Sequence, residues 1–440
     1  MSDIQSHFQQ QLTTCPDIKR WVIGLSGGMD SVVLLHLAVQ TLPADQLRVI
    51  HINHQLQSEA DEWQQFCEQL CQELGVAIES HRVAIEPGAS IESAARDARY
   101  KVFEASLQAE ECLLLAQHRD DQAETLLYRL LRGTGVKGLA AMPRRRSLGK
   151  GLILRPLLNC PREQLQDWAL SSKYRWVEDP SNQDDRYDRN FLRLHILPKL
   201  AERWPGFSGR WAQAAQHFAE ADQLLNELAQ IDLQQCQASL NGLKCDQLMS
   251  LSEARRRNLL RYWIYHSAAV VPGRDWLQRV SSEVIAAKVD AVPELVLGKL
   301  SLRRFRGQLF LVKDCDSLDW QCRPLQDGNL VLLQGTLTVV AEEAEGLKSL
   351  ENVVIRNRQD GDRCRPSGRG GSRSLKKLFQ EHDVPPWLRD SWPICVVGEE
   401  IVAVPGICIC EGWQSEKKAT GFALKWQPFA LSETGDSGTL

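Results

Sequence analysis

The chain has no C-x-x-C pair, no apolar run approaching the roughly 18 residues that cross a bilayer, and no lysine between Lys19 and Lys101. Each absence excludes something. Without C-x-x-C, the 13 cysteines are expected as scattered, reduced thiols and not as a disulfide framework or a cluster-binding motif. The missing apolar run, and a polar start (MSDIQSHFQQ) lacking the charged-then-apolar pattern of a signal peptide, point to a cytoplasmic protein with no membrane partner. No protein partner is evident. The missing lysine excludes the G-x-x-x-x-G-K-[ST] phosphate loop.

What is present is a different phosphate loop. The residues Ser26-Gly27-Gly28-Met29-Asp30-Ser31 follow the apolar run Trp21 to Leu25 and precede the apolar-periodic Val32 to Leu42. That order reads as buried strand, glycine turn and helix N-terminus. Two glycines let backbone N–H groups converge, the Ser26 and Ser31 hydroxyls add donors, and the helix start adds partial positive charge. A carboxylate beside phosphates makes sense when a cation bridges them, so Asp30 is read as a Mg²⁺ ligand for a bound nucleotide. An ordinary capped βα turn is the plainer alternative.

At 440 residues, with 43% apolar and 25% charged residues, the chain is expected to fold as a globular protein of two to four domains. Candidate strands are Trp21 to Leu25, Leu47 to Ile52, Val76 to Val83 and Cys112 to Ala116. Candidate helices are Ser31 to Leu42, Glu59 to Leu74, Ile91 to Ala109 and Gln122 to Arg132. This alternation predicts an α/β, Rossmann-like parallel sheet. If the first and fourth strands flank its switch point, the Ser26 loop faces the segment Gln117 to Thr125 across one crevice. Asp121 and Glu124, three apart on one helical face, then complete a metal shell or recognise an ammonium group. Arg96 and Arg99 share a helical face suited to phosphate. His51 and His54 end the second strand, where a turn is favoured over a metal site. Cys67 with Cys71, and Cys408 with Cys410, are expected as buried and chemically silent.

Further on, Arg144-Arg145-Arg146 to Lys150 reads as a mobile surface loop. Helical periodicity runs from about Trp211 to Leu240 and returns around Arg255-Arg256-Arg257 and Arg261, predicting a helical region whose basic face is solvated or meets RNA. From about Asp319 strand-like runs appear at Leu330 to Leu333 and Leu337 to Val340. A basic segment follows, Arg356 to Lys377, read as an open cationic patch for phosphate backbones despite a net charge of −4 for the whole chain.

The SGGMDS loop resembles the pyrophosphate loop of N-type ATP pyrophosphatases. With HINHQL at 51 to 56, RDARY at 96 to 100, HRDDQAETLLYRLLRGTGVKGLAAM at 118 to 142, EDPSNQDDRYDRNFLR at 178 to 193, and the late GDRCRPSG and SLKKLFQ, the chain resembles the tRNA(Ile)-lysidine synthetase family. The resemblance implies a PP-loop catalytic domain (1–208), a helical tRNA-binding domain (209–318) and a small α/β C-terminal tRNA-binding domain (319–440). It implies an ATP- and Mg²⁺-dependent ligase that joins L-lysine to the first anticodon cytidine of the CAU-anticodon isoleucine tRNA through an adenylated base, releasing AMP and pyrophosphate and changing the tRNA from methionine/AUG to isoleucine/AUA. On that pattern Ser26 to Ser31, His51 and His118 bind the nucleotide and Asp30 the metal. Asp121 and Glu124 hold the lysine ammonium, and Arg96, Arg99 and Arg193 contact nucleotide phosphates or the anticodon. The rivals are a thiolation enzyme with the same loop, an amidating ligase, and a nucleotide-dependent RNA-binding protein without catalysis.

Overall fold

The computed structural model describes residues 3–55, 57–84, 91–238, 242–288, 291, 293–313, 322–332, 335–343, 346–416 and 419–428; the side chains of 91–93, 313 and 343 are outside that description. The chain divides into two compact units, one through Leu224 and one from Leu225.

The first unit opens with α1 (Asp3–Leu12). It then alternates β1 (Arg20–Gly24), α2 (Met29–Thr41), β2 (Leu47–Asn53), α3 (Ala60–Leu74), β3 (Ala77–Arg82), α4 (Ile91–Ser106), β4 (Glu111–Leu114) and α5 (Arg119–Leu131). After α6 (Val136–Leu139) come β5 (Arg145–Leu148), β6 (Gly151–Leu154), α7 (Arg162–Ser171), α8 (Asp188–Phe191) and α9 (Leu197–Arg203). Six strands form one sheet in the order β3-β2-β1-β4-β6-β5, parallel except for β5.

Burial on both faces explains the continuous apolar character of the central strands. Trp21, Ile23, Cys112 and Leu114 pack with α1, α2 and α7 through Phe8, Val32, Leu35 and Leu165. The alternate residues Val22 and Leu113 pack on the opposite face with Phe103, Leu107 and Ile153. The chain winds from β1 outward to β3 and then returns to place β4 on the other side of β1. The switch point therefore lies between β1 and β4, where the loops entering α2 and α5 emerge.

The segment 144–150, expected as a mobile surface loop, is instead part of a β-hairpin. Arg146 pairs in register with Ile153, and β6 adds to β4. Arginine-rich edge strands carry little apolar signal, because their outward side chains face solvent.

Helix α10 (Phe207–Cys236) carries the chain into the second unit. There β7 (Leu243–Lys244), α11 (Cys245–Ser250), α12 (Glu253–Ala268), α13 (Arg274–Arg279), β8 (Glu294–Leu297), β9 (Leu300–Phe305) and β10 (Gln308–Lys313) pack around Leu259, Leu260, Val280, Leu302 and Leu309. This helical region thus also carries a four-stranded sheet, ordered β7-β10-β9-β8. On α12, Arg255 is paired with the fully buried Asp232 and Arg257 with Glu253, so these two arginines serve the fold.

The remainder holds β11 (Arg323–Pro324), β12 (Gly328–Leu332), β13 (Gly335–Glu343), β14 (Val354–Arg356), β15 (Arg363–Cys364), β16 (Arg373–Ser374), α14 (Leu375–Glu381), α15 (Pro386–Arg389), β17 (Ile394–Val397), β18 (Glu400–Val404), β19 (Cys408–Ile409) and β20 (Thr420–Pro428). They form a five-stranded sheet, a three-stranded sheet and the hairpin β15–β16. The basic segment 356–377 is partly engaged within the fold, while Arg363, Arg365, Lys376 and Lys377 stay exposed. Arg356 forms two hydrogen bonds to the largely buried Asp362, Arg358 pairs with Asp390, and Arg369 and Arg373 share Glu381. Lys376 and Lys377 are exposed on α14. Among the described residues, no helix is long and apolar enough to cross a membrane.

Candidate active site

The loop after β1 is held open by its own hydroxyls. Ser31 Oγ donates to Gly28 O at 2.9 Å and lies 3.0 Å from Ser26 Oγ, while the Ser26 N–H donates to Ser31 Oγ at 3.2 Å. Gly27 has φ of +88°, and a Cβ there would lie 3.2 Å from Cys67 Sγ, so glycine is required twice over. The Val177 N–H donates to Gly27 O at 2.9 Å, tying the loop to the segment before α8. Gly28 caps α2 with no side-chain hydrogen bond. No side chain caps α2, which favours the phosphate-loop reading over a plain capped turn: the Ser31 and Val32 N–H groups donate to Gly28 O at 3.0 Å, and the first-turn amides of Met29 and Asp30 are left to an anion.

Asp30 stands on the first turn of α2. Burial pushes its carboxyl up from the usual carboxylate range, and the nearby His118 opposes the shift. Its Oδ2 is 3.7 Å from His118 Nε2, and its Oδ1 is a buried oxygen with no hydrogen-bond partner. An orphaned, desolvated carboxylate oxygen facing a phosphate-binding loop has the chemistry of a hard-cation ligand. Among the described residues no group of three or more His, Cys, Asp or Glu forms a metal cage. Substrate phosphates would therefore supply further ligands, as Mg²⁺ sites on nucleotides commonly arrange.

His118, 4% exposed, caps α5 in a reciprocal box: its N–H donates to Asp121 Oδ2 at 3.0 Å, and the Asp121 N–H donates to its Nδ1 at 3.4 Å. With Nδ1 accepting that bond, Nε2 is the nitrogen turned toward Asp30 and toward Asp121 Oδ2, the latter at 3.4 Å. Asp120 receives the Arg162 N–H at 2.8 Å and so fixes the start of α7 against α5.

Glu124 is 2% exposed. Arg193, on a widened π-type turn at Leu192–Ile196, donates to Glu124 Oε2 through Nε at 2.9 Å, places Nη2 2.8 Å from the same oxygen, and stands 3.9 Å from Asp121 Oδ1. Burial pushes the Glu124 carboxyl up while Arg193 pulls it down, and partial burial works against the charge on Arg193 while Glu124 and Asp121 sustain it. Arg189 flanks the pair, 3.9 Å from Glu124 Oε1, with its guanidinium over the Tyr128 ring at 5.5 Å.

Of the residues singled out from sequence, the structure brings together Asp30, His118, Asp121, Glu124 and Arg193. His51 borders the loop: its Nδ1 is 2.9 Å from Leu25 O and its buried Nε2 has no partner. Arg96 and Arg99 belong to a neighbouring group. Arg96 lies over the Tyr100 ring at 5.2 Å, as does Arg146 at 5.0 Å, and the buried Arg155 donates to Tyr100 Oη at 3.2 Å. Arg99 acts on His54, whose ring is pushed down to about 4 by burial and by that charge. Arg146 and Arg155 were missed by sequence reasoning, since only the β5–β6 hairpin delivers them to Tyr100. Arg162, which acts on Asp30, carries no sequence signal.

Comparison with known proteins places these observations. A PP-loop domain model matches residues 1–200, a TilS substrate binding domain model residues 243–310, and a TilS substrate C-terminal domain model residues 353–426. The chain is 39% identical over 431 residues to the tRNA(Ile)-lysidine synthase of Coxiella burnetii, covering 95% of each chain. It is 40% identical over 441 residues to that of Pseudomonas fluorescens, covering 97% of each. The enzyme of Serratia proteamaculans is 41% identical over 420 residues, covering 92% of this chain and 95% of that one.

Proposed function

The chain belongs to the tRNA(Ile)-lysidine synthase family, and on that premise we propose that it ligates L-lysine to the first anticodon cytidine of the CAU-anticodon isoleucine tRNA at the expense of ATP. The observation that carries this reading is the convergence, at one switch point, of a phosphate loop with an orphaned carboxylate and a second carboxylate pair on α5. One half of that site suits a nucleotide and the other a cation.

The serine-braced loop and the Met29 and Asp30 amides at the start of α2 would receive the ATP phosphates, and Asp30 together with those phosphates would hold Mg²⁺, which when bound would offset charge on the departing pyrophosphate. The cytidine ring carbonyl oxygen attacks the α-phosphorus, giving an adenylated base. The lysine ε-amine then attacks the activated ring carbon and AMP leaves. Asp121 and Glu124 orient the amino acid through its other ammonium, with Arg193 adjusting as they do so. His118, its Nε2 directed at Asp30 and Asp121, keeps the two carboxylates at a fixed separation. The base must leave its stack to reach the crevice.

The division of labour proposed is a catalytic part over 1–208, a helical tRNA-binding part over 209–318 and a C-terminal tRNA-binding part over 319–440, working in the cytoplasm. Lysidine at that position changes the decoding from methionine/AUG to isoleucine/AUA. Pyrophosphate release tests the order of steps: release that requires the CAU-anticodon tRNA but not lysine supports adenylation first, and release without tRNA contradicts it.

A further inference from the structure

Arg155, the residue after β6, is a core arginine, only 2% exposed. Its guanidinium rests on a carbonyl and a phenol: Nη1 donates to Pro143 O at 2.7 Å and Nη2 to Tyr100 Oη at 3.2 Å, while the buried Nε has no hydrogen-bond partner. The backbone holds the side chain's origin, because the Arg155 N–H donates to Arg144 O at 2.9 Å and extends the β5–β6 ladder. Burial works against the Arg155 charge, and no carboxylate is paired with it among the described residues. A cation kept in such surroundings is costly to fold. What it holds is Tyr100.

The Tyr100 ring packs with the apolar group of Leu107 and Ile153, and Phe103 meets it edge-on at 6.3 Å. Two further guanidinium groups stand over that ring, Arg96 of α4 at 5.2 Å from its centroid and Arg146 of β5 at 5.0 Å. The other two arginines of the 144–146 run turn away: Arg144 donates to Gln11 Oε1 and Arg145 to Thr14 O. Arg96 and Arg146 are half-buried, so solvent and ligand reach them where Arg155 is closed off. A ring face attracts each cation weakly while the like charges repel, and a bound anion relieves that repulsion. Strand order places the group. β6 runs parallel to β4 and β3 parallel to β2, so Arg155 after β6 and the start of α4 after β3 share the carboxyl edge that also carries the phosphate loop.

We propose that Arg155 is a positioning residue for a substrate phosphate: through Tyr100 Oη it fixes the ring over which Arg96 and Arg146 stand, and those two guanidinium groups bind one phosphate group. Arg155 does not touch the ligand. It acts through the phenol it holds and through a charge placed in a low-dielectric surrounding. The phosphate comes either from the RNA backbone or from the nucleotide, and the recognising chemistry is the same, planar guanidinium donors converging on anionic oxygens. Such a site rests on the tRNA and ATP chemistry proposed for this chain, and it adds Tyr100, Arg146 and Arg155, which that chemistry does not otherwise employ.

The test measures binding by the full chain without lysine, so it needs no turnover: filter binding of CAU-anticodon isoleucine tRNA without ATP, and calorimetry of ATP with Mg²⁺ without tRNA. Arg96→Gln and Arg146→Gln should each weaken the same one of these ligands by about fivefold or more. Weakened tRNA assigns the phosphate to the RNA backbone, with the slope of log affinity against log salt reduced by about 0.7 in each variant, and weakened ATP assigns it to the nucleotide. Tyr100→Phe keeps the ring and removes the oxygen that Arg155 holds; it should weaken that ligand by about threefold, and Arg155→Lys should do the same. In the Tyr100→Phe background Arg96→Gln should lose less than it does in the parent, a coupling that general loosening of the fold does not produce. An Arg155 variant that fails to fold leaves this cycle on Tyr100 and Arg96 as the deciding measurement. Parent-like binding of both ligands by either arginine variant, or losses that fall on different ligands, overturns the phosphate site, and additive losses in the cycle overturn the positioning role. Coupled binding losses alongside a parent that transfers no lysine would uphold this site while contradicting ligation.

Discussion

His118 Nε2 and Asp30 Oδ2 stand 3.7 Å apart, though one caps the helix after β4 and the other lies on the first turn of the helix after β1. Only the return of the chain across β1 brings these two helix starts together, and the carboxylates of both loops meet around one imidazole.

Replacing Asp30 separates chemistry from stability. Asp30→Asn removes the cation-binding oxygen, and ATP-dependent turnover is expected to fall by about 10²–10³. Because burial raises this carboxyl above its ordinary value of 3.8, the native state holds the proton more tightly than the unfolded state. Stability therefore declines as pH rises through that window, and the variant lacks the decline. Thermal unfolding should show Asp30→Asn gaining on the parent as pH rises above about 4.

Glu124→Gln leaves Arg193 without its carboxylate partner and weakens the cation site. The expected effect is a rise of about tenfold or more in KM for lysine with KM for ATP little changed, since a charge-assisted bond contributes about 1.5–3 kcal/mol. Steady-state kinetics with each substrate varied in turn reads the difference.

Gly27→Ala forces a Cβ onto a backbone with φ of +88° and against Cys67 Sγ. A loss of about 1–2 kcal/mol in denaturant unfolding is expected, with weaker nucleotide binding measured by calorimetry. Gly133, also at positive φ but with open space around it, serves as a comparison that leaves nucleotide binding intact.

His54 is held neutral by burial and by Arg99, its ring pushed down to about 4 from 6.5. The unfolded chain takes up a proton below 6.5 that the folded chain refuses until about 4, so this residue's contribution is present above pH 6.5 and is lost as pH falls through that interval. His54→Asn should lose less thermal stability than the parent between pH 7 and pH 5.

On α14, Lys376 and Lys377 are exposed beside arginines that carboxylates already engage. If these lysines meet the RNA backbone, Lys376→Gln and Lys377→Gln each reduce the slope of log affinity against log salt by about 0.7, with little change in which tRNA is preferred. Filter binding across a salt series measures it.

Much of the first unit was legible in the sequence because buried parallel strands are written as apolar runs. Trp21 to Leu25 and Cys112 to Ala116 each lie within two residues of the observed strands. Phosphate loop and carboxylate pair were legible for a similar reason: both sit at helix starts, where short-range spacing determines which side chains share a face. What escaped depends on long-range pairing. The Arg146 strand is polar and gains its place from β6, and Arg155 is buried only once that hairpin forms. In the basic segment, charge content was visible while its neutralisation by Asp362, Asp390 and Glu381 was not, because ion-pair partners carry no periodicity.

The most direct measurement counts labelled L-lysine retained in CAU-anticodon isoleucine tRNA after incubation with the protein, ATP and Mg²⁺. Ligation predicts label that is stoichiometric with pyrophosphate released, absent without ATP, and lost in Asp30→Asn. Pyrophosphate release with no label in the RNA would contradict it and assign the adenylated base to another nucleophile.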